Sequence, residues 1–328
     1  MGPCLAHNSS RCAWPQPHGR LQRCSVLQNE TSIASLDLAP STSSSNGVSG
    51  LDAEVLVELK NVHKSFGEKR ILNGASFQIR RGEAVGIIGA SGTGKSTTLR
   101  LISGLLAPDR GEIFINGKAR VGLLSDQGDT GEGLRLGMVF QNAALFDSLT
   151  VGENVGFMLY EHSQLPPAEI RRRVAASLAK VGLKGVEDLY PSELSGGMKK
   201  RVALARAVVS DAADGGGGGE AATAAGRVEQ LLMYDEPTAG LDPVASTVVE
   251  DLIRSLQKQR DDDSEGGISS YIVVTHQHST IRRAVDRIIF LHQGRVVWQG
   301  TTEEFDSTDE PIVRQFAEGS LEGPISYV

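Results

Sequence analysis

Apolar residues begin to recur in a regular pattern only at Val55. Val55-Leu56-Val57-Glu58-Leu59 and Ala75-Ser76-Phe77-Gln78-Ile79 read as strands, the second with clear alternation of apolar positions. Ala84-Val85-Gly86-Ile87-Ile88 is a continuous apolar run, which predicts a parallel strand buried on both faces. A helix is predicted from Ser96 to Ile102, directly after a Gly-rich loop. Pro108-Asp109-Arg110-Gly111 breaks the chain, and the strand that follows ends in an Asn116-Gly117 turn. Residues 166–181 read as a helix with proline at its start and Ile170, Val174, Leu178 and Val181 along one face. Further helices are predicted over 196–209 and 246–259, and strands over 230–234 and 271–275. Residues 288–291 and 295–298 flank Gln293-Gly294 as a closing hairpin. Strands alternating with helices predict an α/β fold with a parallel core. The helix-rich stretch from about 141 to 210 interrupts that alternation and reads as an inserted subdomain.

Residues 1 to about 50 have a different character. They are rich in Ser and Thr, hold Arg11, Arg20 and Arg23 as their only Lys or Arg, and Glu30 and Asp37 as their only acids. This acid-poor, Ser-rich composition reads as an organelle transit peptide, of plastid rather than mitochondrial type because no Arg-rich amphipathic helix stands out. A plain disordered tail shares the low hydrophobicity. Cys4, Cys12 and Cys24 are the only cysteines, so a disulfide-stapled fold and a cysteine metal site are excluded from the globular part. No run approaches the roughly 20 apolar residues of a membrane helix, so work at a membrane would need another chain to span it. A formal charge of −7 argues against broad nucleic-acid affinity. The low-complexity segment 212–226 is expected to loop out flexibly, and 260–267 forms an acidic loop.

Gly89-Ala90-Ser91-Gly92-Thr93-Gly94-Lys95-Ser96 is a full P-loop pattern, set between a buried strand and a helix. Glycine lets the backbone wrap an anion, because positive φ costs it little. The first N–H groups of the following helix then point at phosphate oxygens, helped by the helix dipole. Lys95 is expected to neutralise the β- and γ-phosphates of ATP, and the Ser96 hydroxyl to ligate Mg²⁺. Thr97, one residue on, completes the candidate nucleotide-binding positions. The strand 230–234 runs into Asp235-Glu236. A carboxylate at that strand end lies beside the P-loop, where Asp235 can hold Mg²⁺ through water and Glu236 can act as general base for the attacking water.

Leu194-Ser195-Gly196-Gly197-Met198, followed by Lys199-Lys200-Arg201, opens a second helix with serine and two glycines, a second candidate anion site. With these motifs the sequence resembles the ABC ATPase family over nearly all of residues 54–328. The resemblance implies a P-loop NTPase core with an antiparallel β subdomain and an inserted α-helical subdomain. It implies an ATPase that works as a homodimer, in which Ser195, Gly196 and Gly197 of one copy cap the γ-phosphate held by the other. Gln141 matches the Q-loop, a ligand of Mg²⁺ and water. Asp242 lies in the D-loop match 239–242, His276 matches the switch histidine that contacts the γ-phosphate, and Phe66 stands where the family stacks an aromatic on adenine. Met198 replaces the commoner glutamine, and the insert 212–226 is a departure from the family's short connection.

Non-transport ABC ATPases carry long coiled-coil insertions or two P-loops in one chain, and neither is present. Residues 139–155, 191–201 and 235–243, with the tail around 311–324, resemble the Mla-type phospholipid-transport ATPases, and among these the plant chloroplast lipid-transport branch. That resemblance implies a membrane permease subunit, a lipid-binding shuttle subunit, a place on the stromal face of the chloroplast inner envelope, and an endoplasmic-reticulum-derived lipid such as phosphatidic acid as cargo.

Overall fold

A computed structural model describes residues 55–120, 122–123, 134–209, 229–258 and 270–325. The transit-like tail 1–50, the Gly-rich segment 212–226 and the acidic loop 260–267 lie outside the described residues.

Strands β1 (Val55–Phe66) and β2 (Lys69–Arg80) form a long antiparallel hairpin, turned at Gly67-Glu68. β4 (Arg110–Ile115) adds to β1, and β5 (Lys118–Ala119) closes this sheet in the order β2-β1-β4-β5. Asn116 and Gly117 join β4 to β5 with φ of 49° and 73°. Positive φ at both central residues matches the right-handed twist of the flanking strands, as the Asn-Gly pair predicts.

The second sheet has six strands in the order β10-β9-β3-β8-β7-β6. These are β3 (Ala84–Ile88), β6 (Leu134–Val139), β7 (Glu229–Asp235), β8 (Ser270–Val274), β9 (Arg287–His292) and β10 (Arg295–Thr301). All neighbours run parallel except β9 and β10, the hairpin at one edge. The unbroken apolar run of β3 has a direct cause: Val85 and Ile87 pack into one core and Ala84 and Ile88 into another. The first core lies between the two sheets and takes in Leu56, Leu59 and Leu72 from the hairpin, and Leu99, Leu101 and Ile102 from α1 (Lys95–Ile102). The second covers the opposite face of the six-stranded sheet with helices.

Three helices, α2 (Val151–His162), α3 (Pro167–Lys180) and α4 (Gly196–Val209), pack against one another and extend the second core. Ile170, Val174, Leu178 and Val181 are all buried, so the predicted face of α3 is the packed one. α5 (Pro243–Lys258), α6 (His278–Ala284), α7 (Thr302–Ser307) and α8 (Pro311–Glu318) follow. α2 begins with a reciprocal cap: Glu153 N–H donates to Thr150 Oγ1 at 3.2 Å and Thr150 N–H to Glu153 Oε2 at 2.8 Å.

Asn154, fully buried in the next turn, accepts from Phe146 N–H at 2.8 Å. It donates to the carbonyls of Phe146, Leu149 and Thr150 at 3.0, 3.0 and 2.9 Å. One side chain therefore satisfies most of a loop's backbone. Asn154→Ala is expected to lower the unfolding free energy by about 1–3 kcal/mol, because it removes four side-chain hydrogen bonds to the loop backbone, although the Phe146 and Thr150 carbonyls keep a backbone donor. Urea unfolding checks this, and a loss below about 0.5 kcal/mol would mean the loop is held otherwise.

Candidate nucleotide site

The chemistry gathers at one edge of the parallel sheet, where its strands end. Gly89 follows β3. Asp235 ends β7 and Glu236 follows it. His276 comes two residues after β8, and Gln141 two residues after β6. The register brings these ends together: Ile87 pairs with Val274, Val274 with Asp235, and Val139 with Tyr234.

Between β3 and α1 the loop turns on left-handed glycines. Gly89 has φ of 148°, and a Cβ there would run into the Leu291 carbonyl on β9. Gly94 has φ of 103°, and its Cβ would lie 2.7 Å from the Leu72 side chain. Neighbouring atoms thus fill the space that a side chain would need at both positions, and only glycine fits there. α1 starts here with no acid in its first turn, so its N-terminus suits an anion. Thr93 Oγ1 donates to the Ala90 carbonyl at 2.9 Å and braces the loop from inside. Ser91 and Gly92 are exposed at its tip, and Ser96 and Thr97 are half-buried in the first turn of α1.

The Lys95 ammonium is buried and donates to the carbonyls of Gly89 at 2.9 Å and Ala90 at 3.1 Å. Burial pulls its pKa below the usual lysine value, and the Glu236 and Asp235 carboxylates offset part of that shift. Ser96 Oγ donates to Asp235 Oδ1 at 2.7 Å. A hydroxyl and a carboxylate joined in this way form a hard-oxygen donor set beside the phosphate loop. Mg²⁺ is commonly held by one or two carboxylates plus phosphate oxygens and water, so these residues fit it. Among the described residues no group of three or more His, Cys, Asp or Glu is placed to hold a metal, which a site of this open kind does not need.

Glu236 sits at φ of 50°, a left-handed conformation rare for a side chain of this size. Strain of this kind concentrates at functional sites. The conformation is held from three sides. Its N–H donates to the Val274 carbonyl at 2.9 Å, and its carbonyl accepts from Lys200 Nζ at 3.2 Å. His276 Nδ1 lies 2.8 Å from Glu236 Oε1. Glu236 Oε2 is buried and, among the described residues, makes no hydrogen bond, so it is an acceptor available at the sheet edge that also carries Asp235.

The remaining candidates lie elsewhere. Ser195, Gly196, Gly197 and Asp242 line a separate cleft of about 350 Å³ together with Arg201 and Leu241, and no P-loop residue lines it. Ser195 Oγ accepts from Met198 N–H at 3.3 Å in the first turn of α4. Asp242 Oδ1 accepts from the N–H groups of Val244 and Ala245, both at 3.0 Å, and so caps α5. Gln141 is exposed and, among the described residues, makes no hydrogen bond to Ser96, Asp235 or Glu236. Phe66 is half-exposed at the tip of the β1–β2 hairpin, whose Ile71 and Leu72 abut Gly94.

The family model described as ABC transporter matches residues 72–213. Protein TRIGALACTOSYLDIACYLGLYCEROL 3, chloroplastic, of Arabidopsis thaliana is 60% identical over 279 residues, which span 84% of this chain and 77% of that protein. The chain belongs to the ABC transporter ATPase family. The intermembrane phospholipid transport system ATP-binding protein MlaF of Escherichia coli K12 is 35% identical, over 83% of this chain and 92% of MlaF. Among solved structures, the dimeric ATP-binding cassette MJ0796, in a post-hydrolysis state with ADP and Pi, superposes with a TM-score of 0.59. It is 29% identical and covers 75% of this chain and 99% of its own.

Three contributors to this ABC ATPase site have no role assigned by the sequence. Lys200 reaches the Glu236 main chain from α4. Thr238 Oγ1 donates to Gln277 Oε1 at 2.8 Å, tying the segment after Glu236 to the one after His276. Leu291 acts through its carbonyl, which carries no side-chain signal. Only Lys200 had a visible cue, its place directly after the Ser-Gly-Gly motif.

Proposed function

We propose that this ABC ATPase hydrolyses ATP in two sites shared between two copies of the chain and so drives a lipid transporter of the chloroplast envelope. The observation that carries the cargo is the extent of likeness to the chloroplastic Arabidopsis protein, supported by the likeness to MlaF.

In this reading the backbone N–H groups of residues 89–97 bind the phosphates and Lys95 balances their charge. Ser96 and Asp235, with Gln141, would hold Mg²⁺, which would shield the charge that develops on the phosphate oxygens. Glu236 takes the proton of the attacking water on its unpaired Oε2, while His276 fixes the carboxylate through Oε1. Phe66 stacks on adenine. Ser195, Gly196, Gly197 and Asp242 form a cleft apart from the P-loop of their own chain, so a second copy would bring them to the γ-phosphate. No helix of the described residues is long and apolar enough to cross a membrane. A permease subunit would therefore span it, with a lipid-binding shuttle subunit alongside. Residues 1–50 would serve as the transit peptide, and the stromal face of the inner envelope as the working place.

Affinity purification from chloroplast envelope, followed by reconstitution of the co-purified chains in vesicles, tests this. Fluorescent phosphatidic acid is expected to move between vesicles with ATP and not with ADP. Recovery of a sugar or metal permease instead would overturn the lipid reading and leave the ATPase reading standing.

A further inference from the structure

The turn that follows β6 carries Gln141 and has an unusual backbone. Ala143 and Ala144 are consecutive non-glycine residues in the left-handed region, at φ of 61° and 48°. Alanine visits that region rarely and singly, because its Cβ crowds the next carbonyl. Ala144 N–H donates to the Asn142 carbonyl at 2.7 Å and Ala143 N–H to Phe140 at 2.9 Å, so the turn is tight. Ala143 is also buried in the core that the helices share with the sheet. A strained turn of this kind persists only where its surroundings over-determine it.

One side chain does so from outside the turn. Arg206, near the end of α4, donates from Nη1 to the Ala144 carbonyl at 2.8 Å and from Nη2 to the Ala143 carbonyl at 2.9 Å. The planar guanidinium fork meets each carbonyl with its own nitrogen, in a fixed geometry. Asn154 holds the far side of the same loop, at Phe146, Leu149 and Thr150. Gln141 sits on the near side, between the end of β6 and the Ala143-Ala144 turn. Arg206 lies ten residues beyond Gly196 on one unbroken helix, about 15 Å along its axis at 1.5 Å per residue. The helix that presents Ser195-Gly196-Gly197 at one end thus grips the Gln141 turn near the other.

We propose that Arg206 is a positioning residue, through which the placement of α4 sets the placement of Gln141. Its effect on turnover passes through the Ala143-Ala144 backbone, so that a shift of α4 is conveyed to Gln141 as a shift of the turn. This inference rests on the ATPase reading above.

A double-mutant cycle on the full-length chain tests it, with kcat and KM for ATP measured for wild type, R206A, Q141A and R206A/Q141A. R206A is expected to lower kcat about tenfold with KM changed less than about twofold, the mark of misplacement of a reacting group rather than loss of binding. The double variant is expected to be no slower than Q141A alone. If R206A leaves kcat unchanged, or its effect multiplies undiminished with that of Q141A, the inference is overturned. Should R206A fail to fold, R206M replaces it under the same criteria, because it keeps an unbranched stem and loses both donors. If wild type shows no ATP hydrolysis that Glu236→Gln removes, the ATPase reading fails instead.

Discussion

Glu236→Gln is expected to slow ATP hydrolysis by about 10²–10⁴-fold, the contribution of a well-placed general base, while ATP still binds. The geometry makes this substitution unusually clean. Glutamine keeps the length of the side chain and an oxygen that can accept from His276 Nδ1, which lies 2.8 Å from Glu236 Oε1. The left-handed backbone at φ of 50° is held by Val274 and Lys200 through main-chain atoms, which the substitution leaves alone. What changes is the buried Oε2, an acceptor with no partner among the described residues, which becomes an amide that takes no proton. Phosphate release reads the turnover and a fluorescent nucleotide reads the affinity. Turnover within a factor of about ten of wild type would assign the proton transfer to another group.

Lys95→Met is expected to do the reverse, weakening ATP binding about 100-fold or more with little effect on folding. Loss of charge-assisted hydrogen bonds at about 1.5–3 kcal/mol each accounts for that factor. The sign for the fold follows from its lowered pKa. The unfolded chain holds the lysine proton more tightly than the folded one, so near neutral pH the buried ammonium costs the folded state stability. That cost fades only as pH rises through the lowered pKa. Methionine removes it, but also leaves the Gly89 carbonyl without the Lys95 donor, while the Ala90 carbonyl keeps Thr93 Oγ1. The two effects oppose, and the melting temperature of the ATP-free protein is expected to stay within about 4 °C. A large fall in melting temperature at unchanged ATP affinity would show Lys95 to be structural.

The two substitutions separate chemistry from binding, and both were visible as targets in the sequence. The P-loop and Asp235-Glu236 are legible because each couples a local pattern to a strand end, and buried strands such as β3 announce themselves by composition. β6 was not read as a strand. Arg135 and Gly137 interrupt its apolar run, and Gly137 is there because a Cβ would strike the Leu232 side chain on β7. α2 was not delimited either, since Gly152 and Gly156 weaken its helical pattern. Gly156 lies too close to Val174 and Tyr160 for a larger residue, while the Thr150–Glu153 capping pair that opens α2 is a cue the hydrophobic pattern does not contain. Within the site, Asn154, Arg206 and Leu291 act on or through backbone atoms. Side-chain type alone does not report such contacts, because any carbonyl looks the same in sequence.

Leu291 gives the edge hairpin an importance that its chemistry would not suggest. A fragment ending at Ala284 would retain every motif from Gly89 to His276. It would lack β9, which pairs with β3 along Val85 to Ile88, and with it the carbonyl that walls Gly89. It would also lack Gly294, whose carbonyl accepts from Asn73 N–H at 2.8 Å and docks the hairpin on β2. The smallest stretch of chain that contains the motifs is therefore shorter than the smallest stretch that can shape them. Insertions between β9 and β10, far from any phosphate contact in the sequence, should be among the least tolerated in the chain.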